Sequence, residues 1–510
     1  MVSTSTDLTA ASLKSAFASL PEESIIRNPV DIERRYHRNV TALSRLIPLA
    51  LRPGTVDEVR AIVTEANARR IPIYPFSTGK NWGMGSKLPV TDGCVVVDLS
   101  RLNRILEVNE PSRYAVIEPG VTQGQLANHL AENHPDLTFN LTGAFGETSV
   151  LGNTLERGDG SHARIDDLIA MRGILGSGEP FAIGGHFGTA GADAAHVMRY
   201  AAGPDLVGLF SQSNFGIVTE MVFKLLPRAD KRGLFWGIAV DAKLTELFER
   251  LQRIFAQRIA LPAMTNVGYA NRFEQARTTL GDTTADLRLT GELWNFYIIF
   301  DGSAKLSRAI HEELHERLGS CCLETGFYDH GGDTHALPPH LKPLIRPLAG
   351  FPDYESIRTV YRLTGMEPPA NPQDLNVDHT AFGMKSYVGI VPPLPEHVRN
   401  AADLVAAVRR RFLLNIKPSF FGDGRCLVTI HFKSTDPAQV AAAEQAELAL
   451  WEQMTTAGYM PYRASVDQMQ RLIDVRPEFF SLVSRIKSVL DPNHIIAPGR
   501  YCPPGGVSTS

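Results

Sequence analysis

The sequence predicts an α+β fold in two or three domains, and three observations carry that prediction. Short β-rich runs alternate with helical patterns through the first half of the chain. After Leu225-Leu226-Pro227-Arg228 a second region runs strand, helix, strand, helix, and then repeats that order. The 42 Gly and 33 Pro among 510 residues follow no period, so they mark turns rather than a fibre or a low-complexity chain.

The elements follow in order. Thr55-Val56-Asp57-Glu58 has the spacing of a capping box, and Val59, Ile62, Val63 and Ala66 continue at i, i+3, i+4 and i+7, so a helix begins there. Ile71 to Tyr74 reads as a strand running into a glycine-rich loop. Cys94 to Leu99 has a buried-strand pattern. Ile105 to Val108 and Tyr114 to Ile117 flank the turn Asn109-Glu110-Pro111-Ser112, and Gln123 to Ala131 reads as a helix. In the second region Leu234 to Val240 and Trp294 to Phe300 read as strands, and Ala242 to Gln257 and Ala304 to Leu318 as helices. Tyr387 to Ile390 and Cys426 to Phe432 are further strands. His397 to Phe412 is a helix, and Asp436-Pro437 opens another to about Met454. That order suggests one large antiparallel sheet with helices on one face, a cap-like α+β domain. The Pro-rich stretch from Leu337 to Pro372 reads as irregular, and the last forty residues return to helical patterning.

Charge and cysteine usage exclude several classes. Lys+Arg 51 against Asp+Glu 55 leaves a net −4, which argues against a nucleic-acid or polybasic membrane binder. No run approaches the ~20 apolar residues of a spanning helix. Met1 to Glu23 lacks the basic and apolar regions of a signal peptide. Cys94, Cys321, Cys322, Cys426 and Cys502 show no CxxC spacing, so a reducing, cytoplasmic setting fits. A homo-oligomer binding a small molecule, with no nucleic acid and no membrane, is expected.

The chemistry lies in polar, glycine-bearing segments. Ser77-Thr78-Gly79-Lys80-Asn81-Trp82-Gly83-Met84-Gly85-Ser86 directly follows a strand. Its glycines let backbone N–H groups approach an anion, and a pyrophosphate is the natural ligand. By itself the loop is equally an ordinary turn, for it matches neither GxGxxG nor GxxxxGK[ST]. Ser149 to Gly158 and Ser211 to Glu220 pair polar turns with apolar β residues, which suits a buried cofactor edge, although each alone is equally read as structural.

Taken in order, five segments are specific: Ser77 to Ser86, Glu118-Pro119-Gly120-Val121-Thr122, Gly152 to Gly158, Ser211 to Val218, and Ile496-Ala497-Pro498-Gly499. The chain resembles the flavoproteins of the vanillyl-alcohol oxidase and p-cresol methylhydroxylase family from about residue 40 to about 500, least clearly in the middle. The resemblance implies a two-part FAD-binding domain of the PCMH type plus an α+β cap domain. The expected bounds are an arm at 1–40, the FAD domain at 41–230, the cap at 231–460 and a return to the FAD domain at 461–510.

The resemblance implies these roles. Ser77, Thr78, Gly79, Lys80, Asn81, Trp82, Gly83, Gly85 and Ser86 cradle the pyrophosphate, and Pro119 and Gly120 adjoin the cofactor. Gly152, Asn153, Arg157 and Gly158 belong to the flavin wall. Gly216, Ile217 and Val218 flank the adenine and ribose, and Arg500 also touches FAD. Tyr462 and Arg463 match the family's Tyr-Arg pair, which holds a phenolate in phenol-oxidising members. Arg463 is always cationic, so it suits both a phenolate and the reduced flavin. Tyr387 falls where members carry the residue attached covalently to the flavin C8 methyl; a plain strand tyrosine is the alternative.

Two positions depart from the family. Met84 stands where phenol-oxidising members have a Tyr that donates to the phenolate. Ala144 replaces an acid near the flavin N5, with Glu147 close by in sequence. The expected reaction is hydride transfer to flavin N5 from a phenolic or benzylic substrate, with oxygen or a cytochrome as acceptor. A non-phenolic alcohol or hydroxy acid is the alternative, and a non-catalytic flavin binder a further one. His311-Glu312-Glu313-Leu314-His315 also satisfies H-E-x-x-H, the signature of a zinc peptidase, but no third ligand follows, and a charged cap helix with Leu306, Ile310, Leu314 and Leu318 packing inward is the preferred reading.

Overall fold

The computed structural model describes residues 13, 15–80, 82, 87–185, 195–200, 202–261, 264–269, 293–333 and 337–504. Asn81, Gly83, Met84, Gly85 and Ser86 of the glycine-rich loop lie outside them.

The first sheet orders Ile25–Ile26, Ala50–Leu51, Val95–Asp98 and Ile73–Phe76. Its last three strands are parallel, with Ile73 opposite Val95. The helix Val56–Arg69 starts where its capping residue predicts: Thr55 accepts from the Glu58 N–H at 3.2 Å. Val59, Ile62, Val63 and Ala66 are fully buried against this sheet. The second sheet is antiparallel, in the order Ile105–Asn109, Tyr114–Ile117, Gly216–Lys224, Leu168–Leu175 and Pro180–Ile183.

The cap sheet has eight antiparallel strands. They run Glu324–Asp329, Lys231–Val240, Leu293–Gly302, Thr265–Tyr269, Asn415–Phe421, Arg425–Lys433, Phe382–Ile390 and Pro461–Arg463. The helices Leu244–Ala256, Pro395–Phe412 and Pro437–Thr456 bury their apolar stripes on one face of it, in the largest core cluster. The α+β expectation therefore holds, and the strand bearing Tyr462 and Arg463 is the last of the cap sheet.

The stretch from Leu337 to Pro372 departs from its irregular reading. It contains short helical turns and a helix, Glu355–Leu363. Ile357, Val360 and Tyr361 on that helix pack with Val40, Phe145 and Met384, which lie far apart along the chain. The surrounding prolines and polar residues masked this short amphipathic repeat.

The C-terminus returns to the first sheet. Ile73 N–H donates to Ile495 C=O at 2.8 Å, and Ala497 N–H donates to Ile73 C=O at 2.7 Å. Lys487 and Asp491, both buried, lock the return. Lys487 Nζ reaches Asp491 at 2.7 Å, Asn214 C=O at 2.6 Å and Ile496 C=O at 3.0 Å.

Candidate active site

One cleft gathers segments far apart in sequence. Its walls include Ser77 to Lys80, Gly152 and Asn153, Gly216 to Val218, and Ile496, Ala497 and Arg500. The floor comes from the end of the parallel strand Ile73–Phe76, where the chain leaves the sheet. Gly79 has φ +66°, and a Cβ there would lie 2.9 Å from Lys87 Cβ, so only glycine turns the loop without strain. Ser149 caps the helix Val150–Leu155, accepting from Gly152 N–H at 2.9 Å. Its hydroxyl donates to Pro119 C=O at 2.6 Å. A Cβ on Gly152 would lie 2.6 Å from Ser77 Oγ, so that helix can approach the loop only because residue 152 is glycine.

Other expected residues support the cleft from behind. Arg164, fully buried, donates to Asn153 Oδ1 at 3.2 Å and holds that side chain. Arg157 Nε donates to Ser211 Oγ at 2.8 Å. Gly158 packs on Asn153, with no room for a Cβ. Gly120 lies against the Ser100 carbonyl and lines a separate, larger cleft, while the Pro119 carbonyl reaches this one through Ser149. Trp82 stands edge-on between Phe145 and Phe382, with centroids at 6.3 and 6.4 Å, and closes the seam between loop and cap.

Tyr462 and Arg463 reach this region from the cap sheet. Gln212 Nε2 donates to Tyr462 C=O at 3.2 Å, and the Tyr462 hydroxyl donates to Arg157 C=O at 3.0 Å. Arg463 is buried, and its Nε and Nη2 have no hydrogen-bond partner among the described residues. Its nearest carboxylate oxygen, on Glu156, is 4.0 Å away. Glu156 is already engaged by Arg500 Nη2 at 2.5 Å and Tyr501 OH at 3.1 Å. Arg500 also donates to Tyr74 OH at 2.8 Å. Asn214 Oδ1, on the cleft wall, is likewise buried without a partner. Unmet polar groups of this kind carry a cost that a bound ligand removes.

A carboxylate and a guanidinium stand beside this pair, and neither stands out in the sequence. Asp159 Oδ1 lies 2.5 Å from Arg425 Nη1 and 3.5 Å from the Tyr462 hydroxyl. Burial pushes the Asp159 carboxyl up to about 6, against the opposing pull of Arg425 and Arg463. Burial also raises the Tyr462 hydroxyl above its ordinary value. Asp159 follows a quoted motif by one residue, and that proximity was its only signal. Arg425 opens a cap strand with no local mark of function.

Three residues or motifs noted in the sequence lie away from the cleft. Tyr387 is not poised to bond a flavin: its side chain faces the helices of the cap core, edge-on to Trp451 with centroids at 5.8 Å, and its hydroxyl donates to Tyr459 C=O. Glu147 does not replace the missing acid at Ala144; it accepts from Tyr354 OH at 3.1 Å in the separate cleft. His311 and His315 do not form a zinc pair, for His311 stacks on Phe327 at 4.5 Å and His315 Nδ1 contacts Thr325 Oγ1 at 3.0 Å. Among the described residues no group of three or more His, Cys, Asp or Glu is arranged to hold a metal ion.

Comparison with known proteins agrees with this geometry. Residues 47–191 match a family model described as an FAD binding domain. The chain is 29% identical to a 1'-carboxy-chondrochloren decarboxylase from Chondromyces crocatus, covering 90% of this chain and 91% of the other. It is 25% identical to the flavoprotein subunit of a 4-cresol dehydrogenase from Pseudomonas putida, covering 88% and 87%. A glycolate oxidase subunit of Bacillus subtilis is 28% identical over only 35% of this chain. The solved 4-ethylphenol oxidase from Gulosibacter chungangensis superposes with a TM-score of 0.82 over 98% of each chain at 21% identity. No helix among the described residues is long and apolar enough to cross a membrane.

Proposed function

Because the chain belongs to the vanillyl-alcohol oxidase and p-cresol methylhydroxylase family of FAD-dependent oxidoreductases, we propose that it oxidises a phenolic or benzylic substrate beneath the cap. Its cleft suits FAD. Ser77, Thr78, Gly79 and Lys80 would hold the pyrophosphate, and Gly152 and Asn153 would stand at the flavin wall. Gly216 to Val218 would flank the ribose and adenine, and Arg500 would close the C-terminal side. The unpartnered Asn214 Oδ1, on the cleft wall, is a group such a ligand would satisfy. Bound there, FAD supplies a two-electron acceptor for a hydride from the substrate carbon.

The observation that carries the aromatic reading is Arg463, a buried guanidinium with two N–H groups free, next to Tyr462. It offers charge-assisted donors to an anionic oxygen in a place where water screens little. The relatives matched over the cap as well as the FAD domain include an enzyme named for 4-cresol. The match to the glycolate oxidase subunit is too short to take in both domains. Met384, Phe145 and Val40 cluster with Trp82 and Phe382 and form an apolar, water-excluding seam between cap and loop.

Anaerobic flavin reduction across para-alkylphenols, benzylic alcohols and hydroxy acids tests the reading. Bleaching by phenols or benzylic alcohols is expected; bleaching by hydroxy acids alone overturns it. The acceptor, oxygen or a cytochrome, follows from whether the reduced protein reoxidises in air during turnover.

A further inference from the structure

The Tyr462 hydroxyl has two acceptors and one proton. It donates to Arg157 C=O at 3.0 Å, while Asp159 Oδ1 lies at 3.5 Å on the side of the cap. A small rotation of the O–H bond redirects it from the carbonyl to the carboxylate. Asp159 is itself held by Arg425, whose Nη1 is 2.5 Å away and whose Nη2 reaches Asp423 at 2.7 Å. Arg425 in turn lies over the Phe421 ring at 5.0 Å, and its side chain is 7% exposed. This is a largely buried ion pair, for the Asp159 side chain is only 23% exposed.

We propose that Asp159 and Tyr462 form a proton relay that takes the hydroxyl proton of the bound substrate. This inference rests on the phenol reading above and deepens it. In the relay the substrate O–H bond breaks and its proton bonds to the Tyr462 oxygen. The Tyr462 O–H bond breaks in concert and that proton bonds to Asp159 Oδ1. The electron pair stays on the substrate oxygen, beside the free N–H groups of Arg463, and nothing is oxidised or reduced. Asp159 is thus a positioning and proton-accepting residue that acts through Tyr462.

The surroundings suit both charge states. Facing Asp159 are Arg425 and Asp423 from the cap hairpin and Tyr462 and Arg463 from the last cap strand. Arg157 belongs to its own segment, and Glu156 pairs weakly with Arg463. Before the transfer the negative charge sits on Asp159 between Arg425 and Arg463. Afterwards it sits on the substrate, still beside Arg463, so the site moves one charge without creating a new one. The raised carboxyl value, near neutrality, makes Asp159 a usable acceptor for a phenol.

The test is binding of 4-hydroxyacetophenone to the holoenzyme, at a pH between the Asp159 value of about 6 and the probe's own pKa. The phenolate of this probe absorbs at longer wavelength than its phenol, and calorimetry in two buffers of different ionisation heat counts protons released. Wild type is expected to bind the phenolate and release no net proton, because Asp159 keeps it. Asp159→Asn and Tyr462→Phe are expected to release a full proton for each phenolate formed, with affinity rising about tenfold per pH unit. A phenolate formed in wild type with release of a proton overturns the relay and leaves the phenol reading standing. A probe that stays neutral in wild type overturns both. The wild-type measurement decides the matter even where a variant does not fold.

Discussion

Arg463→Met should separate function from stability. The guanidinium is buried, two of its nitrogens have no partner, and its closest carboxylate, Glu156 at 4.0 Å, is already held by Arg500 and Tyr501. Removing Arg463 therefore breaks no hydrogen bond of Nε or Nη2 to the described residues. It also takes away the cost of burying a charge, while Met fills much of the same volume. Stability should change by no more than about 1 kcal/mol, and the sign favours the variant. Function should change far more. Each free N–H can give a charge-assisted bond worth about 1.5–3 kcal/mol to an anionic oxygen. Loss of one preorganised donor at an oxyanion costs about 2.7–4 kcal/mol, or roughly 10²–10³ in rate. The assay pairs anaerobic stopped-flow flavin reduction by a para-alkylphenol with thermal unfolding of the same preparation. A reduction rate within about tenfold of wild type would refute the role given to Arg463. So would a large drop in unfolding temperature with loss of flavin, which would make Arg463 a structural residue.

The other predictions address the cofactor cleft and the cap. Gly152→Val should abolish FAD retention with unchanged far-ultraviolet circular dichroism, because its Cβ would lie 2.6 Å from Ser77 Oγ in the glycine-rich loop; a variant that purifies yellow contradicts this. Lys487→Met strands the buried Asp491 carboxylate, a change of about 3–5 kcal/mol, and should lower the unfolding midpoint and loosen FAD together, since Lys487 also ties Asn214 and Ile496 at the cleft. Tyr387→Phe removes one hydrogen bond to Tyr459 C=O, worth about 1 kcal/mol, and should leave the flavin that survives acid precipitation unchanged; flavin released only in the variant would restore Tyr387 as the linker. A carboxylate acceptor works only when ionised, so kcat/KM should fall as pH drops through the Asp159 value of about 6, and that limb should vanish in Asp159→Asn.

Local chemistry was written in the sequence, and sidedness was not. Thr55 with Glu58 announced a helix start because a cap is a contact between near neighbours. Gly79 and Gly152 were legible because the chain must turn or approach closely there. Tyr387 shows where such reading stops. Tyr387 to Ile390 reads as a strand, but the strand, which runs Phe382–Ile390, is buried on both faces. Met384 packs toward the seam with Phe145, and Tyr387 packs into the helices behind the sheet. With no polar face to contrast with an apolar one, period-two patterning cannot say which side a residue takes. The Asp159–Arg425 pair was hidden for a different reason. Its members lie far apart along the chain and meet only where the eight-stranded sheet packs beside the cleft, and neither bears a local pattern that anticipates the other. The residues available for the chemistry were thus set along the chain, while tertiary packing decided which of them face the same space, because burial and charge pairing act between segments that only folding brings together.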